Sequence, residues 1–160
     1  MEKISELCCV VVPSKAAHAG MTVGEVLLEC LRWQLPGLPF CDDEGHILGR
    51  VSLKHALAQH FIPTDVYKHA HLLGDLLDNL DISKDEIQAV MDIEIDPFVT
   101  PDIPTIVATS PLVKALALIE QFRTSYIFVV DDDGIYQGTI TMLGIAQCVL
   151  QKTKITHHHG

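Results

Sequence analysis

Basic residues are scarce in this sequence. Lys and Arg total 11 against 21 Asp and Glu, for a formal net charge of −10 at pH 7. Non-specific binding to nucleic acid rests on neutralising phosphates with Lys and Arg, so this balance argues against it. It argues equally against docking to an anionic membrane face. A small anionic ligand held by local donors remains open. No apolar run approaches the roughly 18 residues of a membrane span. The opening Met1-Glu2-Lys3-Ile4-Ser5-Glu6 lacks the basic-then-apolar order of a signal peptide, and the expected location is cytoplasmic. No C-x-x-C occurs among the 5 cysteines. Cys8 and Cys9 are adjacent, while Cys30, Cys41 and Cys148 sit among apolar neighbours. Buried thiols in a reducing compartment are expected, with a redox role for Cys8 and Cys9 as the alternative. Catalytic signatures are also missing: there is no G-x-S-x-G, no P-loop and no H-E-x-x-H. No enzyme activity is expected. His18, His46, His60, His69 and His71 form no i, i+4 pair with a companion acid, which argues against zinc. The terminal run His157 to His159, native or added, is not read as a metal site, because neighbours in sequence supply no supporting shell.

What is present is a duplication. Leu38-Pro39-Phe40-Cys41-Asp42-Asp43-Glu44-Gly45-His46-Ile47-Leu48-Gly49-Arg50-Val51-Ser52 returns as Ile127-Phe128-Val129-Val130-Asp131-Asp132-Asp133-Gly134-Ile135-Tyr136-Gln137-Gly138-Thr139-Ile140-Thr141. The glycines fix the register at an offset of 89 (134 − 45 and 138 − 49). Each copy reads as an apolar run, an acidic turn ending in Gly, and a second alternating run. That is the pattern of a β-hairpin whose Gly takes the positive-φ turn position. The acidic turns tempt a divalent-cation reading. Asp also favours turns because it bonds its own backbone, and the spacing is not that of an EF-hand loop.

The same offset carries outward. Thr22 to Leu31 has apolar residues at helical spacing behind Thr22 as N-cap. Ser110 to Ile119 repeats this, with Ser110 at the cap position and Pro111 at the first helical position. Extended stretches precede both helices, Leu7 to Val12 and Pro104 to Ala108. Helical runs follow both hairpins, Leu53 to Phe61 and Met142 to Leu150. Each half is therefore strand, helix, strand, strand, helix. Between the halves, Asp65 to Leu80 reads as an amphipathic helix. Ser83-Lys84-Asp85-Glu86 is a capping-box signal for a second, short helix from Lys84 to about Met91. Pro97, Pro101 and Pro104 keep the following stretch extended or turning. This insertion either lies beside the rest and lengthens the linker, or forms a dimer contact or a lid. With 160 residues, 48% of them apolar, the chain can bury roughly 70% of its unfolded surface and needs no staples.

The element order, the acidic-Gly hairpin turn and the Gly-x-x-Ser/Thr step into a helix resemble the cystathionine-β-synthase (CBS) domain. Two in tandem resemble a CBS pair, or Bateman module. The second copy is the nearer match: Phe122 to Asp131 falls where that family has a basic residue and a PVVD strand. Phe128 stands in place of its proline, which Pro39 keeps in the first copy. The resemblance implies an α+β / α/β fold of two β-α-β-β-α repeats packed with pseudo-two-fold symmetry, plus inserted helices. The divisions are residues 7–62 for the first repeat, 63–97 for the inserted linker and 98–152 for the second repeat.

Ser52 and Thr141 enter helices at equivalent points. Their hydroxyls can cap the helix, or the same geometry can hold a phosphate or ribose oxygen. The resemblance implies the latter, as part of a regulatory module binding an adenosine-containing nucleotide (AMP, ADP, ATP or S-adenosylmethionine) between the repeats. It also implies a ribose-gripping Asp three residues after each hydroxyl. Here those positions are His55 and Gly144. His55 can still make one hydrogen bond; Gly144 offers no side chain. Met21, Ser110 and Ala115 align with residues near the family's nucleotide, and Ser125 and Tyr126 with its adenine edge. Arg123 is a phosphate candidate because a guanidinium grips two oxygens, or else a solvated helix-end Arg; Lys54 and Arg50 stand behind it. No cofactor is required. A homodimer through the repeats is expected, with a protein partner as the other recipient of the signal. The alternative function is a ligand-free dimerisation or interaction scaffold that has lost nucleotide binding.

Overall fold

The two copies meet through equivalent residues. In the computed structural model, which describes residues 3–4, 11–61, 83–101 and 103–153, His46 bridges Ile135. The Tyr136 amide also donates to the Gly45 carbonyl at 3.0 Å. His46 and Ile135 are 89 positions apart, as are Gly37 and Tyr126, which also touch. A Cβ on Gly37 would lie 2.4 Å from the Tyr126 hydroxyl. Residues that contact their own counterparts lie on a two-fold relation, so the pseudo-symmetry is a property of the packing as well as of the pattern.

The elements follow the repeat. The first half has β1 (Val11–Val12), α1 (Val23–Trp33), β2 (Gly37–Cys41), β3 (Ile47–Ser52) and α2 (Leu53–Phe61). Then come α3 (Lys84–Met91) and a 3-10 turn at Asp96–Phe98. The second half has β4 (Thr105–Val107), α4 (Leu112–Gln121), β5 (Tyr126–Val130), β6 (Tyr136–Thr141) and α5 (Met142–Gln151). Thr22 caps α1 by accepting from the Glu25 amide, and Ser83 caps α3 by accepting from the Glu86 amide, each at 3.2 Å. The helix expected over Asp65 to Leu80 lies outside the described residues. Both hairpin turns are tied by their aspartates. Asp42 Oδ1 accepts from the Glu44 and His46 amides, and Asp131 Oδ1 from the Asp133 and Ile135 amides. Those bonds, led by the one from His46, hold the Asp42 carboxyl below its ordinary pKa.

Two cores form, one per half, from equivalent positions. Ala17, Val26, Cys30, Leu38 and Val51 in the first cluster match Ile106, Ala115, Ile119, Ile127 and Ile140 in the second. β5 is buried along its whole length. Ile127 and Val129 face the second core, so Tyr126 and Phe128 face the other way, toward the first half. The positions facing them by symmetry are Gly37 and Pro39: small residues on one strand admit large ones on the other.

The strands are exchanged between halves. β1 pairs not with its own hairpin but antiparallel to β6, giving a four-stranded sheet ordered β1-β6-β5-β4. In return Thr100, which precedes β4, bridges Arg50 on β3, with both backbone bonds formed. The flanking chain follows. The Ile4 amide donates to the Ser110 carbonyl, and the Ile95 amide to the Met21 carbonyl, each at 2.9 Å; both isoleucines are fully buried. The counterpart of β4 is the stretch at Ala17, which bridges Phe40 in parallel; of the expected strand Leu7 to Val12, residues 7–10 lie outside the described residues. Glycine makes the exchange possible. A Cβ on Gly138 would meet Val11 at 2.4 Å, and one on its counterpart Gly49 would meet Val99 at 2.4 Å.

Two smaller expectations are corrected. α4 starts at Leu112, with Pro111 in extended conformation as its cap and no side-chain cap bond; the Ser110 amide is instead held by Val107. Cys148 is disulfide-bonded, so the five cysteines are not all reduced thiols. Cys30 and Cys41 are free. Burial, aided by the Glu29 charge, pushes Cys30 from 9.0 up to about 12, and burial, aided by Asp42, pushes Cys41 to about 11. Unfolded thiols ionise first, so between pH 9 and these values the native state holds the more protons and stability falls as pH rises. Urea midpoints should decline above about pH 9, with part of that slope missing in Cys30→Ala.

Candidate functional site

The hydroxyls of Ser52 and Thr141 sit where strand becomes helix in each half. Ser52 Oγ accepts from the His55 amide at 3.1 Å, and Thr141 Oγ1 from the Gly144 amide at 3.0 Å. The first amide of each helix is taken as well: Leu53 donates to the Pro36 carbonyl at 3.0 Å and Met142 to the equivalent Ser125 carbonyl at 2.8 Å. Two of the first three helical N–H groups are thus satisfied at both ends. Anything bound there depends largely on side chains.

The side chains differ between the two ends. At the second, a cleft of about 520 Å³ is lined by Ser125, Thr141, Met142, Leu143, Gly144 and Gln147 from the second half. Val12 and the run Trp33-Gln34-Leu35-Pro36 come from the first half. Neither half makes this cleft alone, and none of its lining residues carries a charge. Trp33 gives its indole N–H to Glu29 at 2.7 Å, which fixes the ring as a wall. Gln34 is held at φ 55, a left-handed value that its counterpart Arg123 shares at φ 50. A left-handed residue at the helix end reverses the chain into the next strand.

At the first end, a cleft of about 510 Å³ is lined by Arg50, Ser52, Lys54, His55, Ala58, Gln59 and Thr100. Arg50 reaches across the two-fold. Its Nη1 donates to Thr124 Oγ1 at 3.2 Å, and its guanidinium carbon stands 5.5 Å from the centre of the Tyr126 ring. Arg50 Nε and the Tyr126 hydroxyl are both buried at this seam, close enough for the guanidinium to interact with the phenol. Burial raises the Tyr126 phenol above its ordinary pKa, and the Arg50 charge opposes that rise.

The structure distributes the sequence candidates accordingly. Ser52 and His55 line the first cleft, and Ser125 and Thr141 the second. Tyr126 is buried between the halves. Arg123 is exposed at the end of α4 and lines neither cleft. Ala115 is fully buried in the second core. Ser110 and Met21 are 8% exposed beneath the exchanged segments. Met21 lines a third, outer cavity of about 450 Å³ with Lys15, His18, Glu25 and Arg32. Sequence reasoning missed Trp33, Gln34 and Gln147. Gln34 carried a usable signal, because it occupies the position of Arg123 in the repeat register. Among the described residues no group of His, Cys, Asp and Glu is arranged to hold a metal ion, and no helix is long and apolar enough to cross a membrane.

Comparison with known proteins places this geometry. Residues 90–150 match the family model of the CBS domain. No curated protein matches the chain by sequence. Among solved structures it is similar to a CBS domain-containing protein of unknown function from Kribbella flavida, at TM-score 0.69 and 15% identity over 94% of this chain and 99% of that one. It is similar to CBSX2 in complex with AMP, at TM-score 0.64 and 20% identity over 94% and 98%. The CBS domain pair of protein MJ0100, in complex with 5′-methylthioadenosine and S-adenosyl-L-methionine, gives TM-score 0.65 and 16% identity over 96% and 99%.

Proposed function

We propose that this chain, a tandem CBS module by its fold, is a regulatory ligand sensor that takes an adenosine-containing ligand in the clefts between its repeats. The observation that carries this reading is the second cleft. It is assembled from both halves, from Trp33 to Pro36 on one side and from Ser125 and Thr141 on the other. A ligand there touches both repeats at once. Its affinity then depends on how the halves sit against each other, which is what a sensor requires: different affinity for two arrangements. The similar folds that hold AMP or S-adenosyl-L-methionine supply the ligand class. The output in this reading is a change in self-association or in a protein partner, with no reaction catalysed by this chain.

Thermal unfolding with AMP, ADP, ATP, S-adenosylmethionine and no ligand tests it. A ligand at 100 times its Kd adds about 2.7 kcal/mol, which for a chain of this size raises Tm by roughly 5–10 °C. At least one of the four should do so, and Thr141→Ala should reduce the shift. No shift with any of them at millimolar concentration would end the adenosine reading.

Self-association has its own support. Leu28 and Leu31 on α1 are each 71% exposed, and Leu143 on α5 is 83% exposed. A homodimer covering these faces should appear in sedimentation velocity, and Leu28→Glu with Leu31→Glu should return it to a monomer.

A further inference from the structure

Glu29 is an acid at a position where the other copy has a core hydrophobe. Its counterpart in the repeat register is Leu118 (118 − 29 = 89), which packs against the second core. The Glu29 side chain is only 9% exposed, and a carboxylate at that depth is costly unless its oxygens are engaged. One oxygen is. Glu29 Oε1 accepts from the Lys15 amide at 3.1 Å and from the Trp33 indole at 2.7 Å. Among the described residues the other oxygen meets only Arg32, whose Nη1 stands 3.9 Å away, beyond hydrogen-bond length. The Arg32 side chain is itself 64% exposed, so this pair is loose.

Glu29 lines the outer cavity of about 450 Å³ beside α1, together with Lys15, Glu25, Leu28 and Arg32. Two basic and two acidic side chains share this wall. The charged residues have Pro104, Lys114, Leu118 and Gln121 as counterparts in the second half, so the charge pattern belongs to the first half alone. Glu25 is drawn to the cap of α1, where its Oε1 accepts from the Thr22 hydroxyl at 3.2 Å; Glu29 is the deeper acceptor. We infer that this cavity binds a small zwitterion, an α-amino acid with an apolar side chain. Its ammonium replaces Arg32 at Glu29 Oε2. The freed Arg32 and Lys15 take the carboxylate, because a guanidinium grips both carboxylate oxygens at once. Ala16 and Leu28 receive the side chain. A plain anion would face two carboxylates here, and a plain cation two basic side chains.

The site reports to the second cleft. The Trp33 ring that Glu29 holds is also a wall of that cleft. An ammonium at Oε2 engages the same carboxylate that accepts the indole N–H, so filling the cavity changes the hold on that wall. The amino acid is then a second input, coupled reciprocally to whatever the cleft binds. That role rests on the adenosine reading; the site itself does not.

Trp33 is the sole tryptophan, so its emission reads the site directly. The full chain is titrated with L-leucine, with isoamylamine, which lacks the carboxylate, and with 4-methylpentanoate, which lacks the ammonium. L-Leucine should give a saturable change in emission, and each half-molecule should bind at least about tenfold more weakly. Glu29→Gln keeps an oxygen for the indole and the Lys15 amide but removes the charge, and should abolish the response. Arg32→Gln should weaken leucine without weakening isoamylamine. If Glu29→Gln does not fold, the three titrations of the unaltered chain decide. No saturable response to leucine, 4-methylpentanoate binding as tightly as leucine, or an undiminished response in folded Glu29→Gln would overturn the inference. Leu28 also belongs to the face offered above for self-association, so the titration is repeated on Leu31→Glu, which lines no part of the cavity. Loss of the response there would assign it to the dimer face and overturn the inference. Calorimetry with adenosine separates the two readings. Leucine bound without adenosine upholds the site and removes its role as a second input. Adenosine bound without leucine overturns the inference and leaves the adenosine reading standing. Where both bind, each should change the other's Kd by the same factor, and a factor of one overturns the relay.

Discussion

Phe128→Ala should cost about 3–5 kcal/mol, the range for truncating a buried aromatic, against a total stability on the order of 5–15 kcal/mol. Phe128 is the largest fully buried side chain among the described residues. Its ring meets Tyr126 at 5.6 Å and Tyr136 at 5.9 Å, both edge-on. Tyr136 in turn shares hydrogen bonds with Ser14 and Thr139. The cavity would therefore open between the halves and not within one core. Urea unfolding should show the midpoint falling with the slope unchanged. Loss of less than about 2 kcal/mol would mean that the two halves close over the gap.

Gly37→Ala should have the second-largest effect. Its Cβ would lie 2.4 Å from the Tyr126 hydroxyl and 2.8 Å from the Val51 carbonyl oxygen. Overpacking of this kind costs about 1–3 kcal/mol. The two contacts can be separated by a double-mutant cycle. Tyr126→Leu removes the hydroxyl and leaves the carbonyl, so in that background Gly37→Ala should cost less, by an interaction energy within the usual range of roughly 0.5–3 kcal/mol for touching residues. Additive costs would place the whole clash on the Val51 backbone.

The exchange of strands shows where sequence reading stops. The offset of 89, the hairpins, the capping residues Thr22 and Ser83 and the helix entries at Ser52 and Thr141 are local signals, and local signals are legible. Which hairpin β1 joins is not a local matter. Two copies of one pattern present the same edge, and Gly49 and Gly138 each meet a valine there. The stretch near Ala17 makes a single bridge and has no run of β-branched residues to mark it as the counterpart of β4, so Leu7 to Val12 was the more visible strand. The site divides in the same way. The hydroxyls were readable from the Gly-x-x-Ser/Thr step. Arg123 stood ahead of Arg50 on sequence because it lies in the segment where the resembling family carries its basic residue. What raises Arg50 is contact with Thr124 and Tyr126, residues from the other copy that no spacing rule connects to it.

The exchange also sets a schedule. Val12 pairs with Thr139 on β6, 127 residues further along (139 − 12). At roughly 5–20 residues per second of synthesis, the first strand waits on the order of ten seconds for the strand it will join. Contacts between such distant segments are the slow kind to close. The first hairpin can form long before, yet its second strand must keep its edge open for Thr100. Neither repeat is finished when its own residues have all emerged; both are finished together, when the last hairpin arrives.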